Sequence, residues 1–303
     1  MKRKTIKAVL AKKHKEFCDS ITDPIVREIA EKECIITGGS IASMLMKEPV
    51  KDFDYYFKTL RAAYLVVGYF LQKQGKYSLG VFENVNGKYC KEVWFDKVTP
   101  DRDVKLSVVG LRNVGTDIPD QEVMSQEEQA EKAAAEEQED KTSKEIKVRY
   151  VSDNALSLSH KFQLIFRFWG SVEEIHANFD FVHCTCSYDT GTKELTLPPA
   201  ALESMMAKEL TFMNSKYPLC AIIRTRKFIQ RGWLINAGQY VKMALILNEL
   251  DLKDPNVLED QLTGVDSAYF LAVIDAIAEE KERNPSLVID NCYLFKLLDK
   301  IFG

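Results

Sequence analysis

Residues 34–57 read CIITGGSIASMLMKEPVKDFDYYF, and their order sets how the rest of the chain is read. A short apolar stretch (Cys34, Ile35, Ile36) runs into Gly38-Gly39-Ser40. A small-residue apolar run extends from Ile41 to Met46, and Asp52-Phe53-Asp54 lies in an aromatic-rich segment. Two glycines before a helix let the backbone turn tightly and let a ligand come close to the peptide groups. The helix start then offers N–H groups and a positive dipole end to an anion, and Ser40 can cap the helix or donate to a phosphate. The same triplet also serves as an ordinary turn and cap, so its meaning depends on its partners further along the chain.

The first of these partners is a carboxylate pair. In a strand, residues i and i+2 point to the same face roughly 6.5 Å apart. A strand over 52–58 therefore projects Asp52 and Asp54 together while Phe53 and Tyr55 enter the core. Two carboxylates on one face repel, and one takes up a proton unless a cation sits between them. A divalent ion resolves that conflict, and hard oxygen ligands with retained waters and substrate phosphates suit Mg2+ or Mn2+. Solvated acids at a strand entrance are the plainer alternative.

A third acid would complete a two-metal site. Asp180, in NFDFVHC (178–184), is the candidate. It stands between two aromatics in an otherwise apolar segment expected to form a strand over 179–186, where a charge is costly unless paired or metal-bound. Asp189 reads as a turn residue, and Asp101 and Asp103 fall in a polar loop.

Together, Gly38-Gly39-Ser40, Asp52-Phe53-Asp54 and Asp180 between hydrophobics resemble the signature of the DNA polymerase β nucleotidyltransferase superfamily, which includes CCA-adding enzymes and poly(A) polymerases. The segments FDFVHCTCSYD (179–189) and RTRKFIQRGW (224–233) also resemble nucleotidyltransferase-like proteins of tailed bacteriophages. The resemblance implies an α+β fold with a nucleotidyltransferase-type mixed sheet flanked by helices. It places Gly38, Gly39 and Ser40 at nucleotide phosphates, Asp52 and Asp54 on both metal ions, and Asp180 on the metal that activates the acceptor hydroxyl. The implied reaction moves a nucleoside monophosphate from an NTP to a hydroxyl and releases pyrophosphate, with Mg2+ or Mn2+ as cofactor. The separation of Asp54 from Asp180 is long for that superfamily, and an insertion would account for much of it. A catalytically inactive copy of the fold, serving as a nucleotide-binding or protein-interaction module, is the competing expectation.

A second constellation lies downstream. Arg224, Lys227 and Arg231 fall at i, i+3 and i+7, one helical face, with Trp233 just beyond. Such a face suits a triphosphate, a base or an RNA backbone, with Trp233 stacking; a solvated basic helix paired with nearby acids is the alternative. It resembles the arginine-rich helix located after the catalytic domain in CCA-adding enzymes, which favours an RNA or tRNA 3′ end as acceptor. His183, Cys184 and Cys186 suggest zinc only superficially, because alternation separates His183 from Cys184 and no second pair supplies the remaining ligands.

Outward from these motifs, residues 1–33 read as helix, with Asp23-Pro24 marking a helix start, and 59–74 as a long amphipathic helix. Short β-like runs occupy 78–118. Residues 119–146, rich in Glu, Gln, Ala and Lys with almost no apolar face, read as a mobile acidic insertion. Ser171 and Glu174 have capping-box spacing, and beyond Pro198-Pro199 the pattern is helical, with segments near 200–213, 219–250, 267–282 and 286–302. The expected organisation is a catalytic domain over 1–198 and a helical domain over 199–303.

Composition bounds the class. Of 303 residues, 46% are hydrophobic and 28% charged, ordinary for a globular protein. No stretch approaches the ~20 consecutive apolar residues of a membrane helix, and the basic N-terminal segment has too short an apolar run for a signal peptide. Seven cysteines, odd in number and without a framework, read as reduced thiols of a cytoplasmic protein. A net charge of −4 excludes a general electrostatic nucleic-acid binder and leaves phosphate contact to local patches at 2–15 and 224–231.

Overall fold

The computed structural model describes residues 1–85, 88–99, 102–110, 145–152 and 154–251, with single positions outside those ranges. The insertion expected at 119–146 lies almost wholly outside the described residues, as do the helices expected over 267–282 and 286–302.

Two helices open the chain, α1 (Arg3–Asp19) and α2 (Pro24–Glu33). The second starts where Asp23-Pro24 signals it. The Asp23 carboxylate accepts from the Ile25 and Val26 N–H groups at 2.8 and 3.0 Å, and proline at the first position has no N–H left over. Then come β1 (Cys34–Thr37), α3 (Gly39–Met46), β2 (Phe53–Phe57) and α4 (Leu60–Gln74). Strands β3 (Ser78–Val85), β4 (Lys88–Val93) and β5 (Val104–Val109) come next, then β6 (Val148–Val151), β7 (Ala155–Leu158) and β8 (Phe162–Trp169). After α5 (Val172–His176) the chain forms β9 (Ser187–Asp189) and β10 (Glu194–Thr196), then α6 (Pro199–Ala207), α7 (Pro218–Gln230) and α8 (Ala237–Leu247). Ser171 and Glu174 close the expected capping box on α5.

The strands make a seven-stranded mixed sheet, ordered β10-β9-β1-β2-β8-β7-β6, and a three-stranded antiparallel sheet, β4-β3-β5. The strand-helix-strand-helix opening suggests an α/β unit, yet β1 and β2 run antiparallel, and β2 finds its parallel neighbour in the distant β8. The fold is therefore α+β, with a mixed sheet flanked by helices.

Alternation in β2 settles the faces. Phe53, Tyr55 and Phe57 are buried, and the Tyr55 ring lies 4.8 Å from Phe17 of α1 and 5.7 Å from Phe162 of β8. Phe17 in turn stacks 5.7 Å from Phe70 of α4, so one aromatic layer ties α1, β2, α4 and β8 together. Asp54 and Tyr56 point to the other face. β1 is central and buried along its whole length. Between β7 and β8 the chain reverses through His160 and Lys161, both with positive φ (59° and 64°), the backbone of a tight hairpin turn. The Lys161 carbonyl accepts the Phe53 N–H at 2.7 Å, which brings that turn to the start of β2.

Three expected elements differ, the first being the helix near 200–213, which ends at Ala207 before Glu209 and Phe212 form isolated bridges. The segment 179–186 is not a strand: Phe181 makes a single bridge to Phe212, residues 182–184 form one 3-10 turn, and pairing resumes only in β9. Its two aromatics have separate anchors, Phe179 beside Ile35 and Ile175 and Phe181 in the main core, so the chain cannot stay extended between them. The helix expected over 219–250 is broken at Gly232, whose φ is 78°, into α7 and α8. Ala201, Met205, Phe212, Ala221, Trp233 and Met243 from this part of the chain join the same buried cluster as the sheet.

Candidate functional site: an acid recess beside a glycine turn

Gly38 is the pivot. Its φ of 91° and ψ of −150° lie in a region that side chains disfavour, and its N–H is fixed to the Cys184 carbonyl at 3.2 Å. Register pairs Thr37 with Asp54, which sets the Asp54 carboxylate against the turn. A Cβ on Gly38 would stand 2.7 Å from Asp54 Oδ2, whereas a Cβ on Gly39 would meet nothing within 4 Å. Of the two glycines expected to admit a ligand, Gly38 is the one the backbone requires. Ser40 corrects another expectation: Gly38, not Ser40, is the N-cap of α3, and the Ser40 hydroxyl is buried without a hydrogen-bond partner among the described residues.

The turn is braced from behind. Thr37 Oγ1 donates to the Cys186 carbonyl at 2.9 Å and lies 2.7 Å from His176 Nε2, so the imidazole carries its proton on Nε2 and donates to Thr37. Burial lowers the His176 pKa to about 4, keeping the ring neutral.

Asp54 is half-buried, and among the described residues no hydrogen bond or ion pair reaches its carboxylate. Burial first, and the neighbouring Asp52 second, push its pKa well above the usual carboxylate range. Asp52 sits at the exposed rim, where surrounding protein also raises its pKa, against the pull of Lys51, Lys161 and Lys227. These three lysines come from the loop before β2, the β7–β8 turn and α7. The strand expected from residue 52 begins at Phe53, so Asp52 stands just before β2 and acts on Asp54 as a neighbouring like charge.

Asp180 is placed differently from expectation. It lies in the bend after α5 with both carboxylate oxygens engaged: Oδ1 accepts from Ser215 Oγ at 2.6 Å, and Oδ2 from Arg224 Nη1 at 2.5 Å. Its charge in an apolar setting is thus met by a guanidinium. It still shares the neighbourhood of Asp54. The Tyr56 hydroxyl and the Cys184 thiol are both raised, chiefly by burial and then by Asp54 and Asp180 acting together, with Arg224 opposing. Two acids and one cation therefore act electrostatically on the same two buried groups. Beside Asp54 in the sheet, the register position on β8 holds Gln163.

The basic face of α7 is divided among tasks. Arg224 holds Asp180, Lys227 is exposed toward Asp52, and Arg231 is exposed beyond it with its guanidinium 5.9 Å from the Phe228 ring. Trp233 is buried at 4% exposure, packed on His183 at 4.5 Å and Phe228 at 5.7 Å, so it does not present a stacking surface. The sequence reading missed Tyr56, Ser215, Lys51 and Lys161. Tyr56 was findable, two residues after Asp54 on the same strand face; Ser215 carries no local signal.

The donor set fits a hard divalent cation in part. Asp52 and Asp54 offer oxygens that no cation among the described residues neutralises by contact, and the orphaned Ser40 hydroxyl lies at the adjoining helix start. Among the described residues no three His, Cys, Asp or Glu side chains are gathered closely enough to cage an ion unaided. Such a site would resemble magnesium sites that take one or two carboxylates and complete themselves with waters and substrate phosphates.

The architecture defines an α+β protein with a mixed sheet, an acid recess at a glycine turn, and no helix among the described residues long and apolar enough to cross a membrane. Residues 8–208 match the model of the Gabija anti-defense 2 family, and the chain belongs to that family. It is 26% identical over 244 residues to the Gabija anti-defense 2 protein of Bacillus phage SPbetaL7. That match takes in 80% of this chain and 44% of the relative, so the chain spans less than half the length of that protein. No solved structure matches it.

Proposed function

We propose that this chain is a counter-defence nucleotidyltransferase that moves a nucleoside monophosphate from an NTP to a hydroxyl acceptor, releases pyrophosphate, and acts in the host cytoplasm against the Gabija defence for which its family is named. The observation that carries this reading is the uncompensated Asp54 carboxylate, lodged against Gly38 at the start of α3 with Asp52 as a neighbouring like charge. A buried acid without a partner is costly to keep, and Lys51, Lys161 and Lys227 act on Asp52.

In this reading the N–H groups opening α3 receive the nucleotide phosphates, with Lys227 and Arg231 drawing the triphosphate toward the rim. Asp52 and Asp54 hold Mg2+ or Mn2+, which when bound neutralises both the carboxylates and the phosphate charge. Asp180 orients the acceptor hydroxyl. Most of the acceleration then comes from positioning and charge neutralisation, as in phosphoryl transfer generally. The exposed basic residues of α7 favour an RNA 3′ end as acceptor.

Incubating the full chain with each labelled NTP, Mg2+ or Mn2+, and total host RNA tests this. Label should pass to RNA with the wild type and not with Asp54→Asn. If the wild type labels nothing, and Asp54→Asn binds NTP as the wild type does, the enzymatic reading falls. A second reading, an inactive fold that binds nucleotide or a host protein, has its own support: Asp180 is engaged by Arg224, and Gln163 rather than an acid stands beside Asp54. It expects Asp54→Asn to protect a phage from the host defence as well as the wild type does.

A further inference from the structure

The first two helices treat their cations in opposite ways. In α2 both basic residues have acids: Arg27 pairs with Asp19 and Glu31, and Lys32 with Glu28. Residues 2–15 carry seven lysines and arginines and no acid. Lys13 reaches Glu16 at 3.1 Å, and Arg3 donates to the Leu195 carbonyl of β10 at 2.6 Å. Among the described residues no hydrogen bond or ion pair reaches the side chains of Lys4, Lys7, Lys12 or Lys15. Helix physics opposes this arrangement. The first turn of α1 holds no acid, so its cations stand at the positive end of the helix dipole. Lys4 with Lys7, and Lys12 with Lys15, are like charges at neighbouring i, i+3 positions. Folding gains nothing from such a row, whereas a polyanion laid along it is bound by it.

Helical period fixes where the row points. Lys4, Lys12 and Lys15 share the outward face with Ala8 and Ala11, all five exposed, while Ile6, Leu10, His14 and Phe17 are buried. The alanines leave little side-chain bulk between the ammonium groups, and Lys4 to Lys15 spans about 16 Å of helix axis. The helix lies across the sheet from Arg3 on β10 to Lys13, whose ammonium is 4.4 Å from the Phe162 ring and 5.7 Å from the Phe53 ring. Phe53 adjoins Asp52, on which Lys51 and Lys161 act, so the cations continue from α1 toward that acid.

We propose that the outward face of α1 is a docking surface for the sugar–phosphate backbone of single-stranded RNA, held without regard to base sequence. Charge complementarity carries the assignment: a row of lysines with no acid among them meets a row of phosphates, which release their counter-ions on contact. The choice of RNA rests on the acceptor proposed above, and the surface itself uses none of the acids of the recess. It holds the body of the acceptor while the 3′ end lies toward Asp52.

The test titrates the full chain into a fluorescein-labelled poly(U) oligonucleotide at several salt concentrations and follows fluorescence polarisation. Wild type should bind with an affinity that falls as salt rises. Lys4→Gln/Lys12→Gln/Lys15→Gln should bind at least about tenfold more weakly at low salt. Its slope of log affinity against log salt should be shallower by about 2, since each single-strand phosphate contact contributes about 0.7. Lys32→Gln/Lys91→Gln/Lys97→Gln, the same change of net charge elsewhere on the surface, should stay within about twofold of wild type, and arginine at the three α1 positions should keep the binding. The α1 glutamine variant should melt no lower than wild type, because like charges are removed; a melt well below wild type assigns the lysines to the fold and overturns the proposal. Equal affinity and slope in wild type and the α1 variant overturn it as well, as does displacement of the RNA by poly-glutamate as readily as by unlabelled poly(U). The labelling assay above separates the two readings. RNA bound through α1 without transfer of label leaves the surface and removes the transferase, whereas label passing equally to limiting RNA with the α1 variant and wild type removes the surface and leaves the transferase.

Discussion

Asp54 and Asp180 act on the same two buried groups, the Tyr56 hydroxyl and the Cys184 thiol, and the fold treats them in opposite ways. Asp180 is ringed by a serine hydroxyl and a guanidinium, while Asp54 has burial, a like charge at Asp52 and the backbone of Gly38 as neighbours. A paired buried acid stabilises or is neutral; an unpaired one is a cost that folding alone does not explain. The difference teaches where to look for ligand: the acid that folding has left unpaired is the one that a cation from outside would complete.

The sharpest way to break the contrast is to neutralise each acid in turn. Asp54→Asn should stabilise the metal-free protein by roughly 1–3 kcal/mol by removing an unpaired, half-buried charge. In the proposed reaction it should cost about a thousandfold in rate. Asp180→Asn should act the other way, destabilising by about 1–2 kcal/mol because Arg224 loses its counter-charge while staying partly solvated. Urea titrations of both variants at one pH decide it, and stabilisation by both, or by neither, ends the distinction.

The two glycines of the turn allow a second contrast. Gly38→Ala puts a Cβ into the Asp54 carboxylate at a backbone angle that alanine disfavours and should cost about 2–4 kcal/mol. Gly39→Ala, at the first position of a helix with open space, should be neutral to within about 0.5 kcal/mol. Thermal melts that rank the pair in the opposite order would remove Gly38 as the residue that sets Asp54 in place.

Acid titration separates the recess from its support. Asp54 has a raised folded-state pKa, so its contribution improves as pH falls from that raised value toward its ordinary 3.8. His176 and His183 run the opposite way. Burial holds each near pKa 4 in the folded chain against 6.5 unfolded, so their stability is full above pH 6.5 and is lost as pH falls toward 4. Each loses up to roughly 3 kcal/mol over that window. Stability measured between pH 7 and 4 should therefore drop in the wild type, drop less in His183→Gln, and drop more in Asp54→Asn, where the compensating acid is gone. A drop in Asp54→Asn equal to that of the wild type would show that Asp54 does not titrate in this range.

Legibility in the chain tracks local physics. The β1–α3–β2 unit is readable because glycine position and strand alternation are short-range signals, which separate Asp54 from the buried Phe53 and Tyr55, while Asp52 falls one residue short of the strand. Asp180 was found as a charge out of place, but its strand was not there, because Phe179 and Phe181 are drawn into different clusters. Its partner Arg224 was visible only as one third of a helical basic face, since no spacing rule joins residues 44 positions apart. Trp233, expected to stack on a base, is buried, and the local signal for that is in the chain. Gly232 comes just after the end of α7, its N–H bonds to the Ile229 carbonyl at 2.9 Å, and Trp233 N–H bonds to Phe228 at 3.0 Å. That is a Schellman turn, which folds the residue after the glycine back against the helix and buries the indole instead of offering it to a base.

The smallest expected effect tests whether the rim lysines matter individually. Lys227 is exposed and acts on Asp52 from α7, beside Lys51 and Lys161, which act from other elements. Because three cations share the task and solvent screens each one, Lys227→Gln should raise the Asp52 pKa only slightly and change stability by no more than about 0.5 kcal/mol. Its effect should appear instead in the salt dependence of nucleotide binding. Removing one phosphate-facing cation should flatten the fall of affinity with ionic strength while leaving affinity at high salt unchanged. A large stability loss in Lys227→Gln would mean that the lysine serves the fold rather than the recess. An unchanged salt dependence would place the nucleotide elsewhere on the molecule.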